Sequence, residues 1–178
     1  VCYLIGRAGA VLASSNRQTP ESYVGRDFGF RPDFREALQA RPSLYAAVGA
    51  ATGRRGIYSS HPVYGLPPAQ PLGVVVIEAA AERIERSLAL SGDEHLLVTD
   101  PHGIVFLSSR PDWLLHTTRP LGPQVADALA ATQQFGPGPW PLVRLALDAE
   151  GETLDAPGGV RFLASRVDLG TFPGWQVT

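Results

Sequence analysis

The sequence contains no lysine: all 15 of its basic residues are arginine. Schiff-base and P-loop lysine chemistry are thereby excluded. Cysteine is nearly as scarce. Cys2 stands alone, so neither a disulfide framework nor a thiolate metal site can be built, and it reads as a buried terminal thiol. Charge is also sparse, at 18% charged residues and a net charge of −2, which does not fit a basic nucleic-acid binder. No apolar run approaches the roughly 20 residues of a membrane span. What is present suffices for a core: 178 residues, 44% hydrophobic, room for one medium domain or two small ones.

The charges separate along the chain. Residues 1–78 hold eight arginines against five acids, whereas 93–178 hold five against ten, a split that suggests two units with different tasks. An internal repeat points the same way. Tyr3-Leu4-Ile5-Gly6-Arg7-Ala8-Gly9-Ala10-Val11-Leu12-Ala13-Ser14-Ser15 aligns without gaps on Leu97-Val98-Thr99-Asp100-Pro101-His102-Gly103-Ile104-Val105-Phe106-Leu107-Ser108-Ser109, at an offset of 94 residues. Each copy reads as apolar strand, glycine turn, apolar strand and Ser-Ser, the pattern of a β-hairpin.

Further elements follow from local pattern. Pro32 suits the first turn of a helix with apolar face Phe34, Ala37 and Leu38, stopped at Arg41-Pro42. Strands are predicted at 44–48, 56–63 and 72–78. The last, Leu72 to Ile77, is apolar enough to be buried on both faces. Residues 79–90 read as a helix with Ala80, Ile84 and Leu88 on one face, a Glu82–Arg86 pair and a stop at Ser91-Gly92. In the second half, strands are expected at 94–99, 103–108, 140–147, 159–168 and 175–178, with a helix at 123–132. The fold class is therefore α+β: a module at 1–78, a connecting helix at 79–92 and a module at 93–178.

Catalytic patterns are missing. His61, His95, His102 and His116 have no metal-ligand spacing, Ser14-Ser15, Ser59-Ser60 and Ser108-Ser109 lie in no nucleophile elbow, and no glycine-rich phosphate loop occurs. No cofactor is implied, and an α+β enzyme is the weakest reading. What remains is a polar set in the first half. Arg31 could grip a carboxylate bidentately, or pair on the surface with Asp27 or Glu36. Alternation places Tyr58 and Ser60 on one strand face, as hydroxyls of a small pocket or as a polar rim, with Ile57, Ser59 and His61 on the other. Glu78, closing the apolar run, must be solvated, paired or ligand-bound, or else begins the exposed first turn of the next helix.

These residues resemble a known family. Ala13-Ser14-Ser15-Asn16, Tyr23 to Phe34, Tyr45-Ala46, Gly49, Thr52, Arg55 to Val63 and Gly73 to Val76, with Leu97 to Trp113 in the second half, resemble the extracytoplasmic sensor of C4-dicarboxylate sensor histidine kinases, a double Cache (tandem PAS-like) domain. The resemblance implies two antiparallel-sheet modules flanked by helices, on a long N-terminal helix and between two inner-membrane spans that lie outside these residues. Loss of that helix would expose apolar surface. It implies a periplasmic domain, non-catalytic itself, of a homodimeric histidine kinase acting on a cytoplasmic response regulator, with no nucleic-acid partner.

It also implies that the membrane-distal module binds a small dicarboxylate such as succinate through Arg31, Asp33, Tyr45, Thr52, Tyr58, Ser60 and Glu78. Two of these depart from the family pattern. The strand end commonly carries lysine in dicarboxylate sensors, and here it is Glu78; Asp33 stands where an aromatic is usual. The corresponding expectation is a small carboxylate, either a C4-dicarboxylate or an amino-acid-like compound that also bears an amine, or the loss of direct dicarboxylate binding, with a chemoreceptor or cyclase input domain for an amine-bearing ligand as the alternative setting.

Overall fold

The two repeated hairpins are alike to the individual bond in the computed structural model, which describes residues 1–66, 70–88, 94–148 and 153–178. Strands β1 (Cys2–Gly6) and β2 (Val11–Ser14) turn through Gly9 at φ +95°, and β6 (Leu97–Thr99) and β7 (Val105–Ser108) through Gly103 at φ +87°, a backbone region open to glycine without steric cost. Both carry a register shift at equivalent places, between Leu4 and Ile5 and between Val98 and Thr99. In each, the second serine of the Ser-Ser pair closes the open end. The Cys2 amide donates to Ser15 Oγ and the Leu96 amide to Ser109 Oγ, both at 3.0 Å.

Contacts between Cα atoms divide the chain into two compact units, Val1–Arg83 with Ala131–Gly136, and Ile84–Ala130 with Pro137–Thr178. The first is a five-stranded antiparallel sheet in the order β2-β1-β5-β4-β3, adding β3 (Ser43–Val48), β4 (Arg55–Tyr64) and β5 (Pro71–Ala80). Helix α1 (Pro32–Leu38) packs on one face against β3, β4 and β5. Between them lies a core of Tyr3, Ile5, Val11, Tyr23, Phe28, Phe34, Ala37, Tyr58, Val74 and Val76. Tyr3, Tyr23 and Phe28 meet edge-on at centroid distances of 5.2–5.8 Å, the arrangement favoured by ring quadrupoles.

Strand β5 is not buried on both faces. Val74 and Val76 are fully buried, but Leu72 and Ile77 are 59% and 58% exposed, because α1 covers only one side of the sheet. Leu12 and Leu44 are exposed as well. Cys2 is also exposed, contrary to the expected buried thiol. The strand runs two residues past Glu78, since Ala79 and Ala80 pair with Ile57 and Gly56 of β4. Helix α2 is correspondingly shorter, Ala81–Ser87, and the expected stop at residues 91–92 lies outside the described residues.

In the second unit, β11 (Val167–Asp168), β12 (Gln176–Val177), β6 and β7 form one four-stranded sheet. Strands β8 (Ala146–Leu147), β9 (Thr153–Ala156) and β10 (Val160–Leu163) form another of three. Helix α3 occupies Pro123–Thr132, the span expected from sequence. Long strands at 140–147 and 159–168 are not formed: the first is reduced to β8 with a bridge at Leu142, and the second breaks into β10 and β11. Strand β9, which pattern did not indicate, pairs with both β8 and β10.

Candidate functional site

Arg31 caps α1 in extended geometry, φ −68° and ψ 133°, and Pro32 begins the helix behind it. Proline disfavours helical backbone in the residue before it, so Arg31 stands off the helix, and its guanidinium lies inside the unit at 4% exposure. Asp33, fully buried, receives it in a two-bond fork, Nε to Oδ1 at 3.0 Å and Nη2 to Oδ2 at 3.1 Å. The Ser60 hydroxyl adds a third bond to Asp33 Oδ2 at 2.6 Å. Of the pairings open to Arg31, the structure forms neither Asp27 nor Glu36. Asp27 instead accepts from the Gly29 amide, and Glu36 from the Ser43 hydroxyl.

Aromatic rings enclose the ion pair. The Arg31 guanidinium carbon lies 3.9 Å from the Tyr58 ring centroid, 5.5 Å from that of Tyr45 and 5.8 Å from that of Phe28, within cation–π range. Burial lowers the pKa of Arg31, but the Asp33 carboxylate, together with the neighbouring Tyr3 and Tyr58 phenols, outweighs it and holds the guanidinium above its ordinary value. Removing either partner would strand a buried charge at a cost of about 3–5 kcal/mol.

Glu78 faces Tyr58 across the β4–β5 ladder. Tyr23 donates to its Oε2 at 2.9 Å and Tyr58 to its Oε1 at 3.4 Å. Burial first, and the Glu78 charge second, push both phenols well above the ordinary tyrosine range. Thr52 lies beside Tyr23. Glycine makes this approach possible: a Cβ on Gly49 would come within 2.7 Å of Thr52 Oγ1 and 2.8 Å of the Tyr58 hydroxyl. The Tyr3 hydroxyl is buried without a hydrogen-bond partner among the described residues, whereas that of Tyr45 lies beside the Thr132 hydroxyl. Burial raises Tyr3 strongly, with Arg31, Asp33, Tyr58 and Glu78 as its charged or ionisable neighbours, and Tyr45 up to about 12, beside Arg31 and Asp33.

The structure therefore brings Arg31, Asp33, Tyr45, Thr52, Tyr58, Ser60 and Glu78 into one connected set. Sequence pattern missed three of its members, Tyr3, Tyr23 and Phe28. Tyr3 was legible in principle, since alternation along β1 places it with buried Ile5 on the inner face. Tyr23 and Phe28 sit outside regular elements, where no periodicity points inward. A cavity of about 510 Å³ opens in the second unit, lined by Thr99, Asp100, Arg119, Arg166 and Gln176 among others. Its Asp100 is occupied by the amides of His102 and Ile104, and both arginines are exposed.

No family model matches the chain. It is 37% identical over 160 residues to the C4-dicarboxylate transport sensor protein DctB of Rhizobium meliloti, and 35% identical over 161 residues to that of Pseudomonas aeruginosa. The matches cover 88% and 89% of the chain but only 25% and 26% of those proteins, so the chain spans about a quarter of their length. The crystal structure of the V. cholerae histidine kinase DctB sensor domain superposes with a TM-score of 0.87 at 30% identity, covering 99% of this chain and 69% of that one.

Proposed function

The chain belongs to the DctB sensor-domain family, and on that premise we propose that it is the periplasmic ligand-sensing domain of an inner-membrane, two-component histidine kinase, with a small carboxylate compound bound in the first unit. The two units are then tandem PAS-like modules, residues 1–78 distal to the membrane and 93–178 proximal, joined through 79–92. Signalling passes to a cytoplasmic response regulator through a dimeric kinase region.

The observation that carries the ligand assignment is the connected polar set of the first unit. Charged and hydroxyl side chains are gathered inside an otherwise aromatic and aliphatic core, where burial without function is costly. The arginine surplus of residues 1–78 belongs to the same unit.

A thermal-shift screen against succinate, malate, fumarate and the amino acids tests this. Any ligand of the native state raises Tm, by about 5–10 °C at a hundredfold excess over Kd. The shift should be lost in Tyr58→Phe and kept in Arg166→Ala. A shift that depends on Arg166 and ignores Tyr58 would move the site to the second unit. Silence across the whole panel would sink the sensing assignment.

A further inference from the structure

We propose that the second unit carries a binding site of its own, in the cavity of about 510 Å³ beside β6 and β12, for a short-chain aliphatic monocarboxylate. It is separate from the site proposed in the first unit, and neither depends on the other.

The internal repeat shows how the cavity arises. In the first unit β5 pairs with β1 so that Val74 lies opposite Ile5 and Val76 opposite Tyr3. All four side chains are buried in the core. In the second unit β12 takes the place of β5 beside β6, with Gln176 opposite Thr99, and Thr178 and Leu97 joined by two backbone hydrogen bonds. At the offset of 94 residues, Leu97 and Thr99 stand for Tyr3 and Ile5. The corresponding face therefore carries one leucine, two threonines and a glutamine, and all four line the cavity. Three polar side chains stand where the first unit has apolar ones, and an open space lies where it has a filled core. The volume is in the range of small-molecule sites, and polar groups turned onto such a space are satisfied by what fills it.

The lining decides the class of guest. Its cations are Arg119 and Arg166, and among the described residues no carboxylate pairs with either. Arg119 is oriented by Nε donating to the His102 carbonyl at 3.1 Å and Nη2 to the Pro101 carbonyl, which leaves Nη1 unused. Arg166 Nη1 donates to Gln176 Oε1 at 3.1 Å, and Gln176 Nε2 in turn to Asp168 Oδ1 at 3.1 Å. The Nε–Nη2 edge of Arg166 remains, the edge that takes a carboxylate through two parallel bonds. Asp100, the acid of the lining among the described residues, is 4% exposed and its Oδ1 is held by the amides of His102 and Ile104. Another part of the wall is Leu97, Leu145 and Leu154, members of the unit's apolar core. A guest with one carboxylate and an aliphatic tail suits both parts. A dicarboxylate would press its second charge unpaired onto the leucines, and an amino acid would bring its ammonium beside two guanidiniums.

Thermal unfolding of the 178-residue chain, followed by tryptophan emission, tests this, since Trp113, Trp140 and Trp175 all belong to the second unit. Hexanoate should raise the midpoint by about 5 °C or more at a hundredfold excess over Kd, whereas hexanamide, its uncharged isostere, should not. Arg166→Gln should weaken hexanoate binding about tenfold or more, and Arg119→Gln should weaken it as well. Both arginines are exposed, so these variants keep the fold. Arg17→Gln, at an exposed arginine of the first unit, should leave the response unchanged, and succinate should give none that depends on Arg166. A response shared by hexanamide, kept in both cavity variants or lost in Arg17→Gln overturns the proposal. So does silence with hexanoate, or an Arg166-dependent response to succinate as large as that to hexanoate. Hexanoate is absent from the screen of the first unit, so either site can fail alone.

Discussion

Asp100 is 4% exposed in the β6–β7 turn, where its Oδ1 accepts from the amides of His102 at 3.0 Å and Ile104 at 2.7 Å. Burial raises its pKa, and the amides of Ile104, His102 and Gly103, with the His102 charge, only partly offset that. The folded chain therefore binds a proton more tightly here than the unfolded chain does. This contribution to stability is fully present below the ordinary carboxylate pKa and is lost as pH rises through the higher folded value. Asp100→Asn keeps the oxygen acceptor and removes the titration. The Tm difference, wild type minus variant, should fall as pH is raised from below the carboxylate range to neutrality. A difference that rises or stays flat would contradict this. Such a partnership was legible from Asp-Pro-His-Gly turn chemistry. The Arg31–Asp33 pair was not: side chains two apart do not face each other on a helix, and only the extended backbone at the cap brings them together.

Strand β5 shows what pattern can and cannot read at the scale of an element. The apolar run Leu72–Ile77 announced a strand, and β5 did form there, paired with β1 and β4. The end point was misplaced because Ala79 and Ala80 are good helix formers held in the sheet by pairing with β4, a tertiary preference that outweighs propensity. Strand β9 escaped notice because only Leu154 of its four residues is fully buried and the other that packs inward is the small Ala156, too little for a period to show. Gly73, by contrast, is fixed by its neighbours. A Cβ there would collide with the Ile5 carbonyl oxygen and crowd Gly6, across the β1–β5 ladder where Gly73 pairs with Gly6. Gly73→Ala should cost roughly 1–3 kcal/mol by forcing those strands apart, read as a lower denaturation midpoint. An unchanged midpoint would show that the sheet yields freely at this end of the β1–β5 ladder.

For the molecule as a whole, the aromatic residues provide a separate signal from each unit. All five tyrosines lie in residues 1–64, and all three tryptophans, Trp113, Trp140 and Trp175, belong to the second unit. The first unit holds two ten-residue strands paired along nearly their whole length, while the second is built of strands of two to four residues. In urea, tryptophan emission should therefore report a transition at lower concentration than tyrosine difference absorbance. The reverse order would mean that sheet length does not set the stability of these units. The return of residues 131–136 to the first unit was not visible in the sequence, because it depends on contacts far apart in the chain. The Val48 amide donates to the Gln134 carbonyl at 2.7 Å, and the Gln134 side chain to the Ala46 carbonyl at 3.0 Å. During synthesis, β3 therefore leaves the ribosome with these edge groups unpaired, and they stay so until some 85 further residues have been translated. The first unit to emerge is thus completed only after about half of the second has been made.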